Sequence, residues 1–173
     1  MLHDRFLPEY DFAEKHSSEV NAGPEKIYSL ISNFDFSGSL IIRILFVLRG
    51  MTTSMTAKQG LVKKNFIPLA EEPGQEIILG LVGQFWRPSG NLQKLSPEQF
   101  SAFTSPGFAK ATWNFKLIPI DALRTRVETE TRIKCLDDTA FRSFGRYWFF
   151  IRPFSGLIRR EMLRGLKKKA EQM

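Results

Sequence analysis

Two glutamates on one strand are the first residues in this sequence whose spacing could do chemistry. Glu128 and Glu130 are two positions apart, so in a strand they point to the same side. Paired carboxylates can serve as general acid and base when their surroundings separate their pKa values. Arg126 and Arg132 share that side, however, and the sequence therefore favours ion pairing on a wet sheet face.

Other acid–base candidates are few. His16 could be a general base, and Tyr28 and Tyr147 could donate to a carbonyl and favour enolisation, but their spacing fits plain packing equally well. The single cysteine, Cys135, excludes an intramolecular disulfide and a cysteine-cluster metal site. With only His3 and His16 as histidines, no metal centre is predicted, and we expect no organic cofactor.

One arginine is a candidate for binding an anion. Arg87 stands beside Trp86 at the end of a predicted strand, in the segment Phe85–Gly90. A guanidinium there could hold a carboxylate or phosphate by two parallel hydrogen bonds. The alternative, which the sequence favours, is a surface pair in which Arg87 stacks on Trp86.

Two strands with period-two alternation must position these residues. They cover about 108–118 and 124–134 and form an antiparallel hairpin, wet on one side. Two further strands, about 65–71 and 75–85, precede them, and a first strand is predicted over 15–22. Ser96-Pro97-Glu98-Gln99 fits a capping box that opens a short helix through Phe103.

Helices are predicted at about 24–31, 40–49 and from Asp137 or Asp138 to the end, with a kink or break near Arg152, because Pro153 lies inside the last one. Residues 141–173 carry nine Lys/Arg against two Asp/Glu, which equals the net charge of +7 of the whole chain. A basic amphipathic helix can dock on an anionic membrane or an acidic partner. Specific binding of nucleic acid is not predicted, because no recognisable motif for it is present.

The chain of 173 residues fits one domain, 1–173, with an irregular segment over 1–14. Its longest apolar stretch, Leu40–Leu48, is interrupted by Arg43 and is too short to span a bilayer. No secretory signal is visible, so we expect a cytoplasmic protein. The polar residues 50–64 are predicted to be a connection.

The order of elements, together with the segment Val20–Ile31, resembles the START-like (SRPBCC) superfamily. In both, a strand ends in a small residue and leads into a helix with a β-branched–aromatic pair, here Ile27-Tyr28. The resemblance implies an α+β helix-grip fold, in which a curved antiparallel sheet wraps around a long C-terminal helix and two short helices lie near the start. Members bind lipids, sterols, plant metabolites or polyketides, and share no universal catalytic residues. The connection at 50–64 replaces a strand expected in that family.

The resemblance also implies an apolar cavity between the sheet and the last helix. Thr129 and Thr131 add hydroxyls to an otherwise apolar face, and ligand pockets combine apolar walls with a few polar groups. We therefore expect a hydrophobic small molecule or lipid as ligand, with a filled core, a cyclase- or lyase-like enzyme and an interaction module as alternatives. The predicted lining comprises Leu79, Leu81, Phe85, Trp113, Phe115, Thr129, Thr131, Phe144, Tyr147, Trp148 and Ile151.

Overall fold

A computed structural model describes residues 2–32 and 66–172. The predicted helix at 40–49 and the connection at 50–64 lie outside these residues. The described chain forms four helices and five strands, in the order α1 Leu2–Phe6, β1 Phe12–Val20, α2 Pro24–Ser32, β2 Ile67–Glu72, β3 Glu76–Gly83, α3 Pro97–Ala102, β4 Ala109–Pro119, β5 Thr125–Cys135 and α4 Asp138–Gln172.

The strands form one antiparallel sheet in the order β1-β5-β4-β3-β2, with α4 packed against it. The β4–β5 hairpin is in register along its whole length, from Ala109 opposite Cys135 to Pro119 opposite Thr125. Its edge partner β1 pairs with β5 from Phe12, opposite Ile133, to Val20, opposite Thr125. This arrangement confirms the predicted α+β helix-grip fold.

The N-terminal caps of α3 and α4 form at the residues that the sequence predicts. Ser96 and Gln99 form the predicted capping box of α3, each side chain accepting from the other residue's backbone N–H. Asp137 caps α4, since its Oδ1 accepts from the Ala140 N–H at 2.6 Å. Pro153 does not break α4, which runs as a single helix from Asp138 to Gln172, and the alternative of a kink near Arg152 stays a prediction.

The expectation of an irregular segment over 1–14 is wrong. Residues Leu2–Phe6 form α1, and β1 begins at Phe12. Five residues are too few to hold a helix by propensity, so tertiary contacts supply the stability. Leu2 is buried in a cluster with Ile67, Leu69, Ile78, Val82 and Phe100.

The prediction that one face of the sheet is wet holds for only part of that face, where Arg126 is exposed and pairs with Glu19. We call the face towards α4 the inner face and the opposite one the outer face. On the outer face α1 and α3 cover part of the sheet, and the polar side chains of Thr112, Asn114, Glu130 and Arg132 are buried. Gly80 allows this close cover, because a Cβ there would lie 3.0 Å from the ring of Phe100. Glu130 does pair with Arg132, at 2.8 Å, but inside the protein.

Candidate functional site

Six of the predicted lining residues share the inner face of the sheet. Residues directly opposite one another in antiparallel strands point to the same side. Leu79 is opposite Trp113, which is opposite Thr131, and Phe115 is opposite Thr129. Leu81 lies two residues beyond Leu79 on the same strand and so faces the same way.

The remaining predicted residues lie along α4 and after β3, and most of them pack against one another. Phe144 is buried, and its ring centroid lies 5.7 to 6.2 Å from those of Phe85, Tyr147 and Trp148. Phe12 joins them at 5.0 Å from Phe144. Rings therefore fill this end of the space between sheet and helix. Ile151, one turn on, is half-buried.

The two predicted lining threonines, Thr129 and Thr131, both have protein partners. Trp113 donates from Nε1 to Thr129 Oγ1 at 2.7 Å, and Thr129 donates to the carbonyl of Asn114 at 2.8 Å. Arg159 donates from Nη2 to Thr131 Oγ1 at 2.5 Å, and its guanidinium lies 5.6 Å from the Trp113 ring centroid. Arg159 is one of the nine basic residues of 141–173, and the structure places it half-buried over the sheet.

Glu14 and His16 form a hydrogen-bonded pair on β1. His16 Nε2 and Glu14 Oε1 are 2.8 Å apart, and the side chains are 16% and 10% exposed. Glu14 lies opposite Thr131 and His16 opposite Thr129, so the pair is on the inner face. The second carboxylate oxygen, Oε2, is buried without a hydrogen-bond partner among residues 2–32 and 66–172.

Gly156 on α4 makes room for this pair. A Cβ at that position would lie 2.8 Å from Glu14 Oε1 and 3.7 Å from two ring atoms of His16. Any larger residue would have to displace the carboxylate. The helix backbone therefore approaches the two polar side chains as closely as a glycine permits.

A groove of about 600 Å³ opens between β1 and α4 at the Glu14–His16 pair. The size falls within the range of small-molecule sites. Arginines from α4 edge the groove on the helix side, and Pro153 and Leu157 give it apolar surface. Its lining comprises Ala13, Glu14, Lys15, His16, Arg152, Pro153, Gly156, Leu157 and Arg160.

The other acid–base and anion candidates lie elsewhere. The Tyr28 hydroxyl donates to Glu71, and burial together with that carboxylate raises the pKa of Tyr28 to about 12. Tyr147 belongs to the aromatic cluster around Phe144. Arg87 is exposed in the turn after β3, and its proposed anion contact stays a prediction. Of the predicted acid–base and anion candidates, His16 alone lines the groove.

The site also has residues that the sequence argument missed. Glu14 was overlooked because β1 was predicted to begin at residue 15. The alternation Phe12, Glu14, His16 would have placed Glu14 beside His16 on one face. Among the described residues no three His, Cys, Asp or Glu side chains are arranged to hold a metal. Burial raises the pKa of the Cys135 thiol to about 12, so it is a poor nucleophile.

Several solved structures are similar to this chain. A START superfamily protein from Mycobacterium smegmatis is 14% identical, with a TM-score of 0.40, over 92% of this chain and 97% of that one. A protein from Thermus thermophilus is 12% identical, with a TM-score of 0.39, over 93% and 98%. The di-domain aromatase/cyclase BexL from the BE-7585A biosynthetic pathway is 13% identical, with a TM-score of 0.38, over 93% of this chain.

The chain spans 47% of BexL, about half of that protein's length. No protein-family model matches the sequence, and no curated protein does. The likenesses are loose, and the fold assignment rests on the strand order, the register and the long α4 described above. The chain has the helix-grip fold that its resemblance to START-like proteins implied.

Proposed function

We propose that the protein binds a hydrophobic small molecule or lipid between the sheet and α4, and that Glu14 and His16 hold a polar group of that ligand. The observation that carries this proposal is the buried Oε2 of Glu14, which has no hydrogen-bond partner in the described part of the chain. The proposal needs neither a metal nor an organic cofactor. A cytoplasmic location stays a prediction.

The chemistry of the ligand follows from the polar atom of the inner face that has no partner, Glu14 Oε2. A buried carboxylate oxygen without a partner costs about 1–3 kcal/mol or more, so its presence on the inner face favours a role outside stability. A carboxylate accepts hydrogen bonds, and the ligand must therefore supply an O–H or N–H donor. Thr129 and Thr131 already have partners, so the polar anchor is the Glu14–His16 pair, with Glu14 Oε2 as the acceptor.

The apolar walls would come from the residues predicted for the cavity. Trp113, Phe115 and Leu79 lie on the inner face on the same side as Glu14. A ligand that enters by the groove would meet Leu157 and Pro153 first and the sheet beyond. The rings around Phe144 are packed together, and we place the ligand on the Trp113 side of them.

Native mass spectrometry and solvent extraction of the purified protein test the proposal. We expect a co-purifying apolar compound with a hydroxyl or amine group. Displacement of the dye 1-anilinonaphthalene-8-sulfonate by 1-naphthol and by naphthalene then isolates the anchor. One hydrogen bond to a charged group is worth about 1.5–3 kcal/mol, so 1-naphthol should bind about 10- to 100-fold more tightly.

Glu14→Leu should abolish the preference for 1-naphthol. The matched control is Glu19→Leu, on the same strand, where the carboxylate is exposed and pairs with Arg126 at 3.0 Å. That variant should keep the preference. Equal binding of both probes by the unmodified protein, or a preference that survives Glu14→Leu, would reject the anchor.

A second candidate is an enzyme of the cyclase or lyase kind that uses the same site. The specific observation in its favour is the 2.8 Å contact of His16 with Glu14, since a carboxylate beside an imidazole orients it and supports a general base. The test is exchange of α-hydrogens of 2-tetralone in deuterated water. His16→Gln should slow the exchange by about 100-fold or more. Equal rates with the two proteins would exclude this chemistry.

A further inference from the structure

The outer side of α4 carries an apolar patch that faces solvent. Five of the eight exposed large hydrophobic residues of the described chain lie on this helix. Phe149 is 78% exposed and Phe150 is 70% exposed, with their rings 5.4 Å apart. Phe154 and Leu157 are one and two turns further along and are 41% and 48% exposed. We call Phe149, Phe150, Phe154 and Leu157 the apolar patch.

Basic residues flank the apolar patch along the same side of the helix. Positions 146, 150, 157, 164 and 168 are four or seven apart, so they line up on one face. Exposed arginines and lysines therefore precede and follow the aromatic residues, namely Arg142 and Arg146 before them and Arg160, Arg164 and Lys168 after them. The one acidic residue in this stretch, Glu161, is neutralised by an ion pair with Arg164.

We propose that this face of α4 docks on the surface of an anionic lipid bilayer. Phenylalanines of an interfacial helix enter the headgroup region, while flanking Lys and Arg contact anionic headgroups. Each basic residue near such a surface contributes about 1 kcal/mol. None of the described helices is apolar over enough length to cross a membrane. The opposite side of α4, with Met162, Leu163 and Leu166, stays packed on the sheet.

Charge and shape favour a bilayer over other occupants. An acidic protein or nucleic acid would use the cations but would leave two adjacent, highly exposed phenylalanines without a role. A second copy of the chain would bring the same positive charges together, and like charges repel. The docking face adjoins the groove, because Arg160 and Leu157 belong to both. The proposal does not depend on which ligand the groove takes.

Vesicle flotation with the full chain tests the proposal. We expect binding to vesicles of equimolar phosphatidylcholine and phosphatidylserine, weak binding to phosphatidylcholine alone, and loss of binding at high salt. The double variant Phe149→Ser/Phe150→Ser should bind the anionic vesicles about tenfold more weakly. Leu123→Ser is the matched control, since Leu123 is 75% exposed in the β4–β5 turn, and it should bind as the unmodified protein does.

Charge variants and a local probe complete the test. Arg146→Glu should weaken binding at least about fivefold, whereas Lys94→Glu, an exposed lysine off α4, should not. With anionic vesicles Phe150→Trp should show a larger blue shift of its fluorescence than the unmodified protein, whose three tryptophans set the background, and this reports on the helix even if the serine variant folds poorly. Full binding by the serine variant, or binding to polyglutamate as tight as to vesicles, would overturn the proposal. A protein that is dimeric in solution, with a serine variant that is monomeric, would overturn it as well.

Discussion

The buried carboxylates on the two faces of the sheet differ in whether they have partners within the protein. On the outer face Glu76 accepts from the Leu2 N–H at 3.1 Å and from Asn114 Nδ2 at 2.7 Å. Arg132 joins Glu130 at 2.8 Å and Asp4 at 2.7 Å. Each of these carboxylates has a hydrogen-bond or ion-pair partner inside the protein. The outer charges therefore serve to fasten α1 to the sheet.

On the inner face the carboxylate of Glu14 is only half satisfied. One oxygen contacts His16, and the other has no partner within the described residues. A network with all its members paired adds rigidity, whereas an unpaired buried oxygen is a cost that folding alone does not justify. The two faces therefore differ in their buried carboxylates, which are paired on the outer face and half paired at Glu14, whereas the unpaired atoms of the outer face belong to His3 and Thr112.

The largest expected effect is the difference in stability between a Glu→Leu substitution on the outer face and the same substitution on the inner face. Glu76→Leu would leave the Leu2 N–H and the Asn114 amide buried without their acceptor, and should cost about 3 kcal/mol of unfolding free energy. Glu14→Leu removes one oxygen that lacks a partner and one that contacts His16, so the gain and the loss should offset each other to within about 1 kcal/mol. Urea unfolding of both variants measures the difference. Equal losses would mean that the two faces are alike.

A smaller effect on stability is expected at Gly156, where α4 approaches the Glu14–His16 pair. Gly156→Ala gains about 1 kcal/mol of helix propensity, but its Cβ pushes on Glu14 Oε1. In a Glu14→Ala background that contact is gone, and Gly156→Ala should stabilise the protein by about 1 kcal/mol. A double-mutant cycle by thermal or urea unfolding should then give a coupling of about 1–2 kcal/mol.

Additive effects in that cycle would show that the helix and the carboxylate do not press on each other. Ser155→Ala is the control, because Ser155 is also buried on α4 and its change leaves Gly156 in place. Its effect should be the same with and without Glu14.

Much of the fold could be predicted because its signals are local. The alternation of β4 and β5, the capping box at Ser96 and the acidic start of α4 each lie within a few residues. These local signals indicated the element order of a helix grip, with element edges within three residues of the observed ones. Burial of the sheet faces is different, since it depends on elements far away in the chain.

Apart from Glu14, which was missed because β1 begins earlier than predicted, the missed features arise from such distant contacts. The alternation in β5 gave Glu130 and Arg132 the pattern of a wet face, yet α1, which precedes β5 by more than a hundred residues, covers them. The same holds for Arg159, whose place over Trp113 depends on how α4 crosses the sheet. Sequence periodicity shows which residues share a face, and only tertiary packing shows whether that face is dry.

The weakest of the expected effects concerns the pH dependence of the outer face. His3 is fully buried, 3.6 Å from Glu130, and neither ring nitrogen has a hydrogen-bond partner among the described residues. Burial, helped by the charge of Arg132, lowers the pKa of His3 below its usual 6.5, although Glu130 and Glu76 act in the opposite direction. The unfolded chain therefore binds a proton at a higher pH than the folded protein does.

Stability should fall as the pH drops below 6.5, because protons then bind the unfolded state in preference. The slope from this residue is at most about 1.4 kcal/mol per pH unit. His3→Asn should flatten the urea-unfolding profile between pH 6.5 and about pH 5, above the range in which carboxyl groups titrate. If the slope of the unfolding free energy against pH is unchanged in the variant, His3 takes up its proton as readily in the folded protein as in the unfolded chain. The outer face would then tolerate a further positive charge beside Arg132.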